Sequence, residues 1–308
     1  MSKFSMRHLR YFDALSRMQS FRKAAEDCAI SQPALSMQIK ELEAIVGSPL
    51  VERGGGSVRL TSLGEVFAIR VRRILKEVDE LDDYVRAGQS PLAGRLRIGV
   101  IPTVAPYLLP DVIKTLTQRF PSLDIRPREA VTKLLIEDLL DSRLDMAIAA
   151  LPVSEPSLRE FSLFEEEFIL VRPEADRHKP APNALGLKEM RLLLLEEGHC
   201  FRDQALSFCA ISDPEGRDLM EGSSMTTLVQ MVGAGIGVTL IPEMSIDIEA
   251  RSAPVSLTRL LEPRPKRSIG LIWRKSNPLE EQFMDIASIV RLLGRTKYAQ
   301  NLHTDLAS

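Results

Sequence analysis

Six apolar residues, Phe67, Val71, Ile74, Val78, Leu81 and Val85, recur at spacings of 4, 3, 4, 3 and 4. Alternating fours and threes is the a/d seam of a heptad repeat, which one long helix presents to a partner helix. Arg70, Arg72, Arg73, Lys76, Glu77, Asp79 and Glu80 interleave with the seam and give the helix a charged flank. Gly88-Gln89-Ser90-Pro91 then stops the helix and reads as a hinge. A chain of 308 residues divided by such a helix must build one core on each side of it. The spacing predicts a dimer through residues 67–85.

On the amino-terminal side, Phe4, Leu9, Phe12, Leu15 and Met18 fall at near-helical spacing. Ser20 is placed to cap a second helix with the stripe Phe21, Ala24, Ala25 and Cys28, which assigns Cys28 to the core. Ser31 is placed to cap a third, with Pro33 in its first turn, where the missing N–H costs little. Leu35, Ile39, Leu42 and Val46 are its buried stripe, and Gln32, Ser36, Met37, Gln38 and Lys40 its polar side. Two short helices joined by a tight turn, the second with a polar outer face, describe a helix-turn-helix. The second helix of such a unit reads the major groove: Gln32 suits adenine, Ser36 a base or a phosphate, and Lys40 a phosphate. Residues 1–60 carry nine Lys and Arg against six Asp and Glu, within a chain of net charge -2, so a polyanion is expected here if anywhere.

The run from Ser31-Gln32-Pro33-Ala34-Leu35-Ser36-Met37-Gln38-Ile39-Lys40 to Leu50-Val51-Glu52-Arg53 resembles the winged helix-turn-helix of the LysR-type transcriptional regulators. The resemblance implies a DNA interface of Ser31, Gln32, Pro33, Ser36, Met37 and Lys40, with Arg53 of the wing on the DNA backbone. Two departures stand out. The wing tip Gly54-Gly55-Gly56-Ser57 is glycine-rich where many relatives carry basic or polar side chains, and Met37 stands where many carry arginine.

Beyond Arg95, short apolar runs alternate with helical stretches: strands at 96–100, 123–126, 145–150, 168–171, 192–195, 238–241 and 269–273, and helices at 110–120 and 133–140. This alternation predicts an α/β fold with mainly parallel strands. It is similar to the two-lobed, periplasmic-binding-protein-like regulatory domain of the same family. The expected organisation is a winged helix-turn-helix domain over 1–60, a linker and dimerisation helix over 61–90, and a regulatory domain over 91–308. Lobe I of the last comprises about 91–165 and 268–308, and lobe II about 166–267. Gly233-Ala234-Gly235-Ile236-Gly237 follows a helix and precedes a strand, the reverse of a dinucleotide loop, so no nucleotide cofactor is expected.

Two of the three cysteines, Cys200 and Cys209, lie nine residues apart beside His199 and Arg202. Metal is disfavoured, because that spacing exceeds the usual ligand interval and His199 is the only histidine nearby. The amino terminus has no apolar secretion core and no run is long enough to span a membrane, so a cytoplasmic chain without a structural disulfide is expected. His199 and Arg202 favour a thiolate at Cys200, which is the form that oxidants attack. Phe201, Ala205, Phe208 and Cys209 share a helical face. On a helix the two sulfurs stand about 13 Å apart along the axis and half a turn around it. A disulfide needs Cα atoms within roughly 7 Å, so bonding requires that helix to melt. From the residues alone, a redox switch and a pair of small buried hydrophobes both remain open.

Further blocks are similar to the peroxide-sensing members of the LysR-type family: Gly198-His199-Cys200-Phe201-Arg202-Asp203, Ile101-Pro102-Thr103-Val104-Ala105-Pro106, Glu129-Ala130-Val131-Thr132 and Arg267-Ser268-Ile269-Gly270. That resemblance implies a peroxidatic Cys200, a resolving Cys209 and a pocket of Thr103, Thr132, His199, Arg202, Asp203 and Arg267. Arg202 and Arg267 are expected to support the thiolate, and Asp203 to orient an arginine or cap the helix. It also implies, as partners, double-stranded DNA with inverted repeats, further copies of the chain in a dimer of dimers, and RNA polymerase, but no membrane. Two other readings remain: a regulator taking a small effector between the lobes, and, from a different class, a thiol peroxidase.

Overall fold

The computed structural model describes residues 4–54, 57–87, 92–208 and 220–301. The chain divides into two compact units, Met1–Val85 and Arg86–Ser308. The expected hinge at 88–91, the wing-tip Gly55 and Gly56, and Cys209 lie outside the described residues.

In the first unit, helices α1 (Met6–Met18), α2 (Phe21–Asp27) and α3 (Gln32–Val46) precede a hairpin of β1 (Val51–Gly54) and β2 (Ser57–Leu60) and the long helix α4 (Ser62–Ala87). Each short helix begins where a serine can satisfy an orphan N–H. The hydroxyls of Ser20 and Ser31 accept from the amides of Lys23 and Ala34. Phe12, Leu15, Ala24, Leu35, Ile39, Leu42 and Leu50 fill the core, and half-buried Cys28 packs at its rim. Glu43 Oε1 accepts the backbone N–H groups of Leu50 (2.8 Å) and Val51 (3.2 Å), tying α3 to the hairpin. A Cβ on Gly64 would lie 2.0 Å from the Leu50 carbonyl oxygen, so glycine alone lets α4 approach this closely.

The heptad seam divides along α4. Phe67 meets Phe12 edge-on, with centroids 5.4 Å apart, and Val71 is buried, so this end belongs to the unit's own core. Ile74, Leu81 and Val85 are 46, 63 and 61% exposed. One periodic stripe thus serves two surfaces.

The second unit contains β3 (Gly94–Val100), α5 (Ala105–Arg119), β4 (Leu123–Glu129), α6 (Thr132–Leu140), β5 (Met146–Leu151), β6 (Leu158–Pro173), α7 (Ala184–Glu189), β7 (Leu192–Leu195), α8 (Cys200–Phe208), β8 (Met220–Gly222), α9 (Met225–Gly233), β9 (Val238–Pro242), α10 (Ile246–Glu249), β10 (Val255–Arg259), β11 (Lys266–Arg274) and α11 (Glu280–Asn301). Strand β6 joins two sheets. Its residues 158–167 pair with β11, and 168–173 pair with β9 and β10. The first sheet runs β4-β3-β5-β11-β6 and the second continues β6-β9-β7-β8.

Pairing corrects the expectation of mainly parallel strands. β3 runs parallel to β4 and β5, and β7 to β8 and β9, but every pair made by β6 or β11 is antiparallel. These two strands carry the chain between the sheets and back, so they run against the βα units on either side. Helix α5 begins five residues before the expected start at Pro110, which its first turns tolerate in the helix interior. Among the described residues, no helix is long and apolar enough to cross a membrane.

Candidate functional site

Parallel strands β3, β4 and β7 each end in a short loop that leads into a helix, α5, α6 and α8 respectively. Ligands of open α/β sheets gather at such carboxyl ends. Here the three loops deliver Thr103, Thr132 and His199-Cys200 to one narrow cleft, whose other lining residues are Ile101, Pro102 and Val131. Gly198 turns the chain into α8 with φ +96°, in the left-handed region that glycine adopts without strain. Cys200 is the first residue of α8 and is half-buried. Its helix is anchored by Phe201 and Ala205, with the Phe201 ring 4.8 Å from that of Phe168.

The polar groups in this cleft differ in what they have left to give. Thr103 Oγ1 accepts from Arg267 Nη1 at 2.7 Å, and its carbonyl accepts from Nη2 at 3.0 Å. Thr132 Oγ1 is buried without a hydrogen-bond partner, a costly state that a polar ligand would relieve. Burial lowers the pKa of His199, against opposing pulls from Glu196 and Glu129, so above its ordinary pKa of 6.5 the imidazole is neutral, with one donor and one acceptor. Among apolar residues, the same cleft is lined by a cysteine, two threonines and a histidine.

The charged residues expected around the thiol are arranged in a second layer. Arg267 is fully buried, donates from Nε to Glu166 Oε1 at 2.8 Å, and has its guanidinium carbon 5.4 Å from the Phe201 ring centroid. Arg202 turns away from the cleft lining, to the Leu195 carbonyl at 3.1 Å and to the Glu221 carboxylate. Asp203 is exposed on the first turn of α8, and the carboxylates holding the two arginines are Glu221 and Glu166. Sequence reasoning missed both glutamates. For Glu166 the available signal was the acidic run Glu165-Glu166-Glu167 opening onto an apolar strand, because a carboxylate in such a strand needs a partner.

In the first unit, Ser31, Gln32, Pro33, Met37 and Lys40 are exposed on one end and side of α3, with Ser36 half-buried among them. Gln38 donates to Glu41 at 3.0 Å, so that amide is engaged within its own helix. Arg53 belongs to β1, and its side chain lies outside the described residues.

The bacterial regulatory helix-turn-helix protein of the lysR family matches residues 6–65, and the LysR substrate binding domain matches residues 89–291. The chain belongs to the LysR family. A probable hydrogen peroxide-inducible genes activator of Streptomyces viridosporus is 38% identical over 93% of this chain and 93% of its own. The HTH-type transcriptional regulator EstR of Acinetobacter baylyi is 36% identical over 95% of this chain and 98% of its own. Overall identity therefore does not choose a signal within the LysR family, and the site residues have to. Among solved structures, a hydrogen-peroxide-bound OxyR variant of Corynebacterium glutamicum superposes with a TM-score of 0.68 at 29% identity, covering 100% of this chain and 98% of that one.

Proposed function

We propose that this LysR-family regulator senses hydrogen peroxide at Cys200 and reports it to DNA through a Cys200–Cys209 disulfide. The observation that carries the reading is the cleft itself, where Thr103, Thr132 and His199 surround Cys200 and the Thr132 hydroxyl has no partner. The two hydroxyls and the imidazole suit a small molecule with a donor and an acceptor on each of two adjacent oxygens. Cys200 sulfur attacks one peroxide oxygen and the O–O bond breaks. The thiol proton, passed through the cleft hydroxyls, ends on the departing hydroxide as water, leaving a sulfenic acid. Cys209 sulfur then attacks the sulfenic sulfur, forming the S–S bond and releasing a second water.

Nine helical residues separate their ends by about 13 Å, so closing this bond unwinds α8 and withdraws Phe201 from Phe168 and Arg267. On this reading the altered regulatory unit changes how copies pack, and hence the spacing of paired reading heads on an inverted repeat. The open end of the α4 seam, Ile74, Leu81 and Val85, supports pairing of copies, because an exposed apolar stripe marks an interaction surface. The exposed Gln32 and Lys40 support α3 as the groove-reading helix. A dimer of dimers contacting RNA polymerase completes the reading.

The test is thiol-trapping mass spectrometry on the full chain with about one equivalent of hydrogen peroxide. A rapid Cys200–Cys209 disulfide with Cys28 still free is expected. Unchanged thiols, or a Cys200→Ser chain whose DNA footprint still shifts with peroxide, would sink the reading.

A further inference from the structure

We infer that Glu166 is a positioning residue for peroxide reduction, acting through Arg267 to hold the Thr103 hydroxyl as a donor toward the cleft; this rests on the sensing reading above. A threonine hydroxyl has one proton and two acceptor sites, and a guanidinium can only donate. With Arg267 Nη1 donating to Thr103 Oγ1 at 2.7 Å, one acceptor site is filled and the proton must point elsewhere. Nη2 on the Thr103 carbonyl at 3.0 Å fixes the same residue at a second point. Thr103 lines the cleft beside Cys200, so that proton is available to a bound oxygen.

The direction of the guanidinium is set from its other side. Glu166 Oε1 lies 2.8 Å from Arg267 Nε and 2.7 Å from Nη2. Its second oxygen accepts the Met244 backbone N–H at 3.1 Å. All three side chains are buried, at 3% exposure or less, so none of these contacts exchanges freely with water. Every contact from Met244 to Thr103 pairs a donor with an acceptor: the Met244 N–H and the Arg267 guanidinium both donate to Glu166, and the same guanidinium donates to Thr103.

An amide cannot replace this carboxylate. In Glu166→Gln, whichever way the amide turns, its NH2 faces either the arginine N–H groups or the Met244 N–H. One donor meets another, and the buried guanidinium loses its counter-charge. Outer partners that orient the ligands of metal centres are worth about 10- to 100-fold in affinity or activity, and the lower end of that range sets the expected loss here.

The experiment measures, on the full reduced chain, the rate of Cys200 oxidation by hydrogen peroxide and the rate of its alkylation by iodoacetamide. Alkylation needs the thiol and its access but no donor to a leaving hydroxide. The inference expects Glu166→Gln to slow peroxide oxidation about tenfold while alkylation stays near the wild-type rate. Combined with Thr103→Val, it should add little, since both act on one hydroxyl. Equal slowing of both reactions, an unchanged peroxide rate, or full additivity with Thr103→Val would each overturn it. Should Glu166→Gln not fold, Glu166→Asp keeps the charge, shortens the reach and is judged by the same criteria. Wild-type Cys200 inert to peroxide would instead overturn the sensing reading, and this inference with it.

Discussion

Cys28 and Cys200 are both half-buried, yet they sit at opposite ends of their helices. Cys28 caps the carboxyl end of α2, where the negative end of the helix dipole and the adjacent Asp27 oppose negative charge. Arg17, held by Asp13 at 2.9 Å and Asp27 at 3.1 Å, offsets this only in part. Burial first, and then Asp27, push the Cys28 thiol above its ordinary pKa of 9.0. Cys200 opens α8 and lines one cleft with Thr103, Thr132 and His199. Exposure does not separate the two thiols. What separates them is the polarity of the helix end and the presence of groups that can stabilise a leaving oxygen.

The largest effect should come from exchanging the sulfurs. Cys200→Ser should abolish the peroxide-dependent footprint change, whereas Cys28→Ser should leave the half-maximal peroxide dose within about twofold, because only thiolate-forming, accessible cysteines climb the oxidation ladder. A comparable loss from Cys28→Ser would break the contrast. Next, Thr132→Val should slow Cys200 oxidation at least about tenfold, by removing a donor aimed at the leaving oxygen. It should also leave the melting temperature unchanged or raise it, since a hydroxyl without a partner is lost from a buried position. A lower melting temperature would assign Thr132 a packing role instead.

A smaller effect concerns alkylation. In a Cys200→Ser chain, Cys28 should react slowly with iodoacetamide up to its ordinary pKa of 9.0 and accelerate only above it, read by mass spectrometry across pH. The smallest concerns His199. Its folded pKa is lowered, so the unfolded chain binds the proton more tightly, and acidification through the window just below 6.5 favours unfolding. His199 therefore costs no stability above pH 6.5 and an increasing amount below it. His199→Gln should flatten the fall in melting temperature on that acid side, and an unchanged slope would show that other groups control it.

Much of the fold was legible from local pattern. Ser20 and Ser31 announced two helix starts because a cap is satisfied by an amide three residues on. Strand β7 showed itself as an apolar run, and α8 through the spacing of Phe201 and Ala205. The heptad stripe announced α4 but not its division, since burial of Phe67 against Phe12 depends on a residue 55 positions away in the sequence. The first half of β6 was missed for a related reason: Arg159, Glu160, Glu165, Glu166 and Glu167 break up its apolar pattern, and their acceptance in a strand rests on distant partners.

By itself, then, the sequence determined the capped and periodic helices α2, α3 and α4 and the apolar strands β3, β5, β7 and β9. Those are decided by neighbours a few residues apart, through caps, turns and periodicity. Only the tertiary structure decided that β6 and β11 run antiparallel, that Arg202 turns to Glu221, and that Glu166 reaches Arg267 across a separation of 101 residues. Strand direction and ion-pair choice depend on which surfaces meet once the chain is compact, and a buried charge takes the partner that the meeting provides.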